Sequence, residues 1–116
     1  MKEHKYKLLR IFINENERYE KTPLSDWILK KALDDGIASA TVFRGLEGFG
    51  GERKIHTTRI LALSIDLPLV IEIIDDESRI KALLKDIEPA ISHGVVTIGD
   101  VVAKFYGKRN LREPLI

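Results

Sequence analysis

Leu69-Val70-Ile71-Glu72-Ile73-Ile74-Asp75 is the stretch whose reading decides the fold. A short run this rich in β-branched residues reads as a strand. Its alternate positions form two sets, Leu69/Ile71/Ile73 and Val70/Glu72/Ile74, and both are largely apolar. Lys7 to Asn14 repeats the pattern, with Leu9, Ile11 and Ile13 on one side and Leu8, Arg10 and Phe12 on the other. A layer of helices covers only one face of a sheet. The second apolar face therefore predicts a closed homo-oligomer in which bare faces pack together, the alternative being a merely mixed surface.

Outward from these two strands, the remaining elements follow from periodicity and punctuation. Glu15 to Lys21 is polar and turn-like, and Thr22-Pro23 offers an N-cap followed by proline at the first helical position. Leu24, Trp27, Ile28 and Ala32 then recur at the helical period up to about Asp35, where Gly36 supplies a left-handed cap. Ala40 to Leu46 reads as a strand. Gly45, Gly48, Gly50 and Gly51 stop any regular element after it, and Arg59–Ser64 reads either as a short strand or as an extension of this glycine loop.

Beyond Asp76, the residues Ile80, Leu83, Leu84 and Ile87 have the spacing of an amphipathic helix that Pro89 ends. Val95 to Tyr106 reads as one bent strand or two short ones, broken at Gly99-Asp100. The order strand, helix, strand, long loop, strand, helix, strand is the ferredoxin-like βαββαβ arrangement. It predicts an α+β domain over residues 1–116, with a four-stranded antiparallel sheet and two helices on one face.

Composition agrees with one modest core. The chain has 116 residues, 44% of them hydrophobic, and its 19 Lys+Arg against 18 Asp+Glu leave a net charge of +1. That balance lacks the basic footprint of a nucleic-acid binder. No apolar run is longer than Ile60-Leu61-Ala62-Leu63, far short of a bilayer span. Without cysteine there are no disulfides, thiolate nucleophiles or cysteine-ligated zinc. The first ten residues lack an extended apolar segment, which makes a cytoplasmic location the expectation. Many charges (32%), a single Met and no Cys give a thermophile-like composition.

The richest stretch for chemistry is Arg44 to His56. Its glycines let backbone N–H groups approach a ligand's oxygens, and Arg44, Arg53, Lys54 and Arg59 can balance phosphate charge. It lacks the Gly-Lys-Ser/Thr close of a Walker loop, and a hairpin that needs positive φ at its turns explains the same glycines. Phe49 stacks on a base or plugs the loop against the body. Glu72, the one charge in its strand, needs a partner if buried: a neighbour's arginine, a backbone donor or a ligand hydroxyl.

His4, His56 and His93 are scattered, which argues against a metal site within one subunit. Asp75-Asp76-Glu77 suits the start of a helix better than a cation site. The serines have no nucleophile-elbow context. His93-Gly94-Val95-Val96 joins the second helix to the last strand, and this turn is expected to share a pocket at a subunit junction with the loop after the second strand. The basic residues Lys104, Lys108, Arg109 and Arg112 either close that pocket from a neighbour or form a solvated end.

The chain resembles the family of uncharacterised PII-like proteins, relatives in fold of the trimeric PII nitrogen-regulatory proteins. Leu8-Leu9-Arg10-Ile11-Phe12, Pro23-Leu24, the run from Gly36 to Gly45, Gly48-Phe49-Gly50, Ile55-His56, the run from Asp66 to Asp75 and Gly94-Val95-Val96-Thr97 carry the likeness. Ser39 departs from it, because glycine is usual there. The resemblance implies a homotrimer with an adenine nucleotide in intersubunit clefts and no prosthetic group. Gly45, Gly48, Phe49 and Gly50 would flank the nucleotide, with Arg53, His56, Arg59 and Glu72 nearby, and the turn at Gly94, Val95 and Val96 would cradle phosphates. Ile98-Gly99-Asp100 is the other segment that could take that place, and neither segment has the lysine that ends the PII phosphate loop, which favours AMP or ADP over ATP. No tyrosine stands between Gly45 and Asp66, so uridylylation is not expected.

The implied role is signalling through the long loop after the second strand, over Glu52–Asp66. Members of the family are often encoded beside membrane fluoride exporters, which implies a membrane transport protein as client. Two other functions are open: a slow nucleotide hydrolase at the same cleft with Glu72 or His56 orienting water, and a cation-binding trimer resembling the copper-tolerance proteins, which the absence of Cys and the scattered histidines disfavour.

Overall fold

A computed structural model describes residues 2–57 and 66–107. Four strands, β1 (Glu3–Asn14), β2 (Ser39–Arg44), β3 (Pro68–Asp75) and β4 (Val95–Lys104), form one sheet in the order β2-β3-β1-β4, every pair antiparallel. Helices α1 (Leu24–Asp34) and α2 (Glu77–Ile87) follow β1 and β3 and cover one face. The ferredoxin-like arrangement expected from the element order is the one observed.

Register explains which residues are core. Leu9 faces Ile73, Ile11 faces Ile71 and Ile13 faces Leu69 across β1 and β3. All six are buried, under Leu24, Ile28 and Ala32 of α1 and Ile80, Leu83 and Ile87 of α2. Burying a side chain of this size contributes about 1.5–3 kcal/mol, so this layer dominates stability.

The opposite face carries the other set in three rows. Phe43, Val70, Phe12 and Val95 lie abreast; next come Thr41, Glu72, Arg10 and Thr97; then Ser39, Ile74, Leu8 and Gly99. None of the described helices lies on it, and Phe12, Phe43 and Val95 are 38%, 51% and 52% exposed.

The element ends have local causes. Gly36 at φ 74° caps α1: its N–H donates to the Leu33 carbonyl at 3.1 Å while the Ile37 N–H donates to Ala32 at 3.0 Å, a Schellman closure. Asp76 caps α2 by accepting from the Arg79 N–H at 2.8 Å. Asp75, fully buried, accepts from the Ala38 N–H at 2.9 Å and the Asp76 N–H at 2.6 Å, tying the end of β3 to the approach to β2. The acidic triplet thus supplies a helix cap and a strand tie.

Three boundaries differ from expectation. Pro23 stands at the N-cap of α1, not its first turn, because Thr22-Pro23 pairs with Arg18-Tyr19 around a tight turn at Glu20-Lys21. The second strand stops at Arg44, and Glu47-Gly48 pairs with His56-Thr57 as a separate hairpin. Gly99-Asp100 does not break β4, which pairs continuously with β1 from Phe12–Val95 to Glu3–Lys104. A glycine opposite Leu8 within so long a ladder loses little, because its neighbours hold the register. Arg59–Ser64 lies outside the described residues.

Candidate functional site

Three connections converge at one end of the sheet. The chain leaving β1 turns at Asn14–Glu17, the segment between β2 and β3 contributes Glu52 and Asp66, and the α2–β4 connection contributes His93. Together they line a cavity of about 240 Å³, the turn contributing Asn14, Asn16 and Glu17. Glu52 and Asp66, from the segment after β2, thus meet His93 at one cavity within a single chain, whereas the expectation set the shared pocket at a subunit junction.

Backbone and side-chain bonds fix this corner. The Glu15 N–H donates to the Leu67 carbonyl at 2.8 Å, and its carboxylate accepts from the Leu67 N–H at 3.1 Å and from Arg44 at 2.9–3.0 Å. The Asn16 N–H donates to Asp66 Oδ1 at 2.9 Å. Where the chain leaves β2, the Gly45 N–H donates to Pro68 at 2.7 Å; a Cβ on Gly45 would lie 2.8 Å from the Pro68 ring.

The charge in this corner is unlike a phosphate site. Glu17, Glu52 and Asp66 line the cavity, and no Lys or Arg does so among the described residues. Glu17 Oε2 is buried without a hydrogen-bond partner among the described residues. Burial pushes the Glu17 carboxyl above its ordinary range, a shift opposed by His93 and His56 and reinforced by Asp66 and Glu52. His56 Nδ1 lies 3.7 Å from Asp66 and Nε2 lies 4.0 Å from Glu52.

The hairpin above the cavity carries the glycines. Gly50 and Gly51 have open space around their Cα atoms. Arg53, at φ 60°, places its guanidinium 4.9 Å from the Phe49 ring centroid in a cation–π contact. Leu46, Phe49 and Ile55 are 80%, 59% and 55% exposed. Phe49 therefore stacks on Arg53 and does not plug the loop.

Gly45, Gly48, Phe49, Gly50, Arg53 and His56 thus gather on or beside one hairpin, while Arg59 falls outside the described residues. Gly94 has a steric reason to be glycine: at φ 136°, a Cβ there would meet the Phe12 carbonyl oxygen at 2.3 Å. Val95 and Val96 point to opposite sheet faces, opposite Phe12 and Ile11. Glu72 lies on the bare face, away from the cavity lining, and its partner is Arg10 of the adjacent strand at 2.8 Å. Sequence reasoning missed Asn14, Asn16, Glu17, Glu52 and Asp66 as cavity residues; only topology assembles them. Among the described residues, no group of three or more His, Asp and Glu is arranged to hold a metal ion. None of the described helices is long and apolar enough to cross a membrane.

The chain is 40% identical over 97 residues to a UPF0166 protein of Aquifex aeolicus, covering 84% of this chain and 91% of that one. It is 33% identical over 97 residues to a UPF0166 protein of Methanocaldococcus jannaschii, covering 83% and 89%. Its fold is similar to CPII of Thiomonas intermedia K12, a nitrogen regulatory PII-like protein bound to ADP, AMP and bicarbonate, with a TM-score of 0.67 at 18% identity over 88% of this chain and 91% of that one. The model of the family DUF190, described as uncharacterised ACR, COG1993, matches residues 6–103. By sequence the chain belongs to the DUF190 family, and its architecture is PII-like.

Proposed function

We propose that the protein is a homotrimeric PII-like signalling module that binds an adenine nucleotide beside the hairpin Glu47–Thr57. The observation that carries this is the convergence of Glu52 in the hairpin's turn, Asp66 and His93 on one cavity, in a fold shared with a protein whose structure holds ADP and AMP. Donor-rich parts of the ligand, the ribose hydroxyls and the adenine amine, suit the carboxylates and amides of the cavity. The phosphates belong outward, toward Arg53 and Lys54, because three carboxylates repel an anion. Gly45, Gly48, Phe49 and Gly50 border the ligand, and neighbouring copies close the cleft.

The bare sheet face supports the oligomer. Its apolar rows, hydrated in a lone chain, are buried when copies meet. The exposed side chains of Leu46, Phe49, Arg53 and Ile55, on and beside the hairpin, are the surface offered to a client, for which a membrane transport protein is our candidate. Occupancy is signalled if the nucleotide contacts one hairpin position better than another. Calorimetric titration with AMP, ADP and ATP tests the reading. We expect saturable binding with AMP or ADP ahead of ATP; absence of heat with all three at millimolar ligand and folded protein overturns it.

A further inference from the structure

The two outer strands of the sheet differ in what stands beside them. Among the described residues β2 pairs only with β3, and β4 only with β1. β4 offers ten residues without a proline, in unbroken register with β1, so its outer row of N–H and C=O groups is open to another strand. Ile98 and Val102 stand on its helix side, opposite Leu9 and Lys5, and both are exposed, Val102 by 60%. Beside β2, by contrast, α1 and the approach to the strand enclose an apolar groove of about 540 Å³, with Leu29 and Leu33 on the helix and Ile37, Ala38 and Ala40 along the chain. Leu33 is 74% exposed. One edge has apolar side chains without a cover, and the other has a cover with nothing beneath it.

We infer that β4 of one copy adds as a further strand to the β2 edge of a second copy, with Ile98 and Val102 seated in the groove beside that copy's α1. The bare-face homo-oligomer proposed above, on which this rests, sets the geometry. Rotation about an axis along the strands keeps the bare faces of all copies inward and their strand directions alike. β2 and β4 run antiparallel within one sheet, so β4 of one copy comes alongside β2 of the next in antiparallel sense. A ring closed in this way leaves no edge unpaired.

Size and charge agree with this seam. The bare face presents three rows of four, twelve positions, whereas a stable interface takes about 20–30 residues a side. The groove and the β4 edge supply the area that the bare face lacks. Asp26 lines the groove, and Lys5 lies opposite Val102 on β1. Both are exposed and lack an ion-pair partner among the described residues, so the two sides of the seam bring opposite charges. Main-chain hydrogen bonds along the two strands give the contact its strength, and the fit of Ile98 and Val102 beside Leu29 and Leu33 gives it its selectivity.

The test is sedimentation velocity on the full chain across a dilution series, with Leu33→Lys, Val102→Glu and the two combined. Both positions are exposed in the lone chain, so neither single variant should lower the urea midpoint of the dissociated chain. Each should weaken assembly by about tenfold or more, because each sets an unpaired charge in the apolar seam. The combined variant should recover much of that loss, since every seam then brings opposite charges together. If either charged variant unfolds the chain, Leu33→Ser and Val102→Ser replace the pair, and each should weaken assembly by about threefold or more. A parent chain that stays monomeric at every concentration overturns this inference together with the homo-oligomer beneath it. A parent that assembles, with both single variants assembling equally well, overturns the edge seam alone, as does weakening by both charged variants with no recovery in their combination.

Discussion

Arg10 Nε and Glu72 Oε2 lie 2.8 Å apart across β1 and β3, in the middle of the sheet face that neither helix covers. The row of Phe12, Val70, Phe43 and Val95 flanks them on one side, and Leu8 with Ile74 on the other. Facing water, such a pair contributes about 0–1 kcal/mol. Enclosed between copies, loss of one partner strands the other charge at a cost of about 3–5 kcal/mol. In the proposed trimer, Arg10→Ala should therefore weaken assembly by about 3 kcal/mol, and Arg10→Met combined with Glu72→Met should recover most of it. Light scattering across a dilution series reads this directly; an unchanged dissociation midpoint in Arg10→Ala means that the face is hydrated.

Asp75 is a second paired carboxylate, this one inside the chain. It accepts the N–H groups of Ala38 and Asp76 with no solvent exposure. Asp75→Ala leaves both donors without that acceptor and should cost about 3 kcal/mol in urea denaturation. Asp75→Asn should cost less than Asp75→Ala, because one oxygen remains to accept.

Two glycines should respond in opposite ways. Gly94 combines φ 136° with a Phe12 carbonyl 2.3 Å from any added Cβ. Gly94→Ala should destabilise by about 2–4 kcal/mol through backbone strain and crowding. Gly50 has nothing within 4 Å and a φ outside the left-handed region, so Gly50→Ala should change the thermal midpoint little.

Glu15 predicts an acid-side loss of stability. Its hydrogen bond from Arg44 lowers its carboxyl below the ordinary 4.5, helped by the Leu67 N–H and by the charge of Arg44, against desolvation. A depressed folded value stabilises above the unfolded one, and that stabilisation is lost as pH falls from about 4.5 through the lower folded value. Glu15→Gln should flatten this part of the stability–pH curve, measured by denaturation between pH 3 and 7.

The strands, helices and their order were legible because their signals are local. Leu69 to Asp75 carries its period openly, and Gly36 marks the end of α1. The hairpin strands Glu47-Gly48 and His56-Thr57 are too short to show any period. The Arg10–Glu72 pair depends on the register of strands far apart in the chain, which alternation alone does not specify. The cavity is harder still: Glu17, Glu52, Asp66 and His93 share no spacing rule, and three connections must fold to the same corner before they meet. Gly94 also answers to the Phe12 backbone carbonyl, a constraint that only the fold reveals.

The bond from Gly45 to Pro68 means that the chain departs from the sheet and comes home through a single doorway. Whatever hangs beyond that doorway can be lengthened, shortened or exchanged while the frame stays as it is. Doubling such an excursion adds only about 0.6 kcal/mol of closure entropy. The fold is thereby built like a socket, with a head that can be exchanged without redesigning the handle.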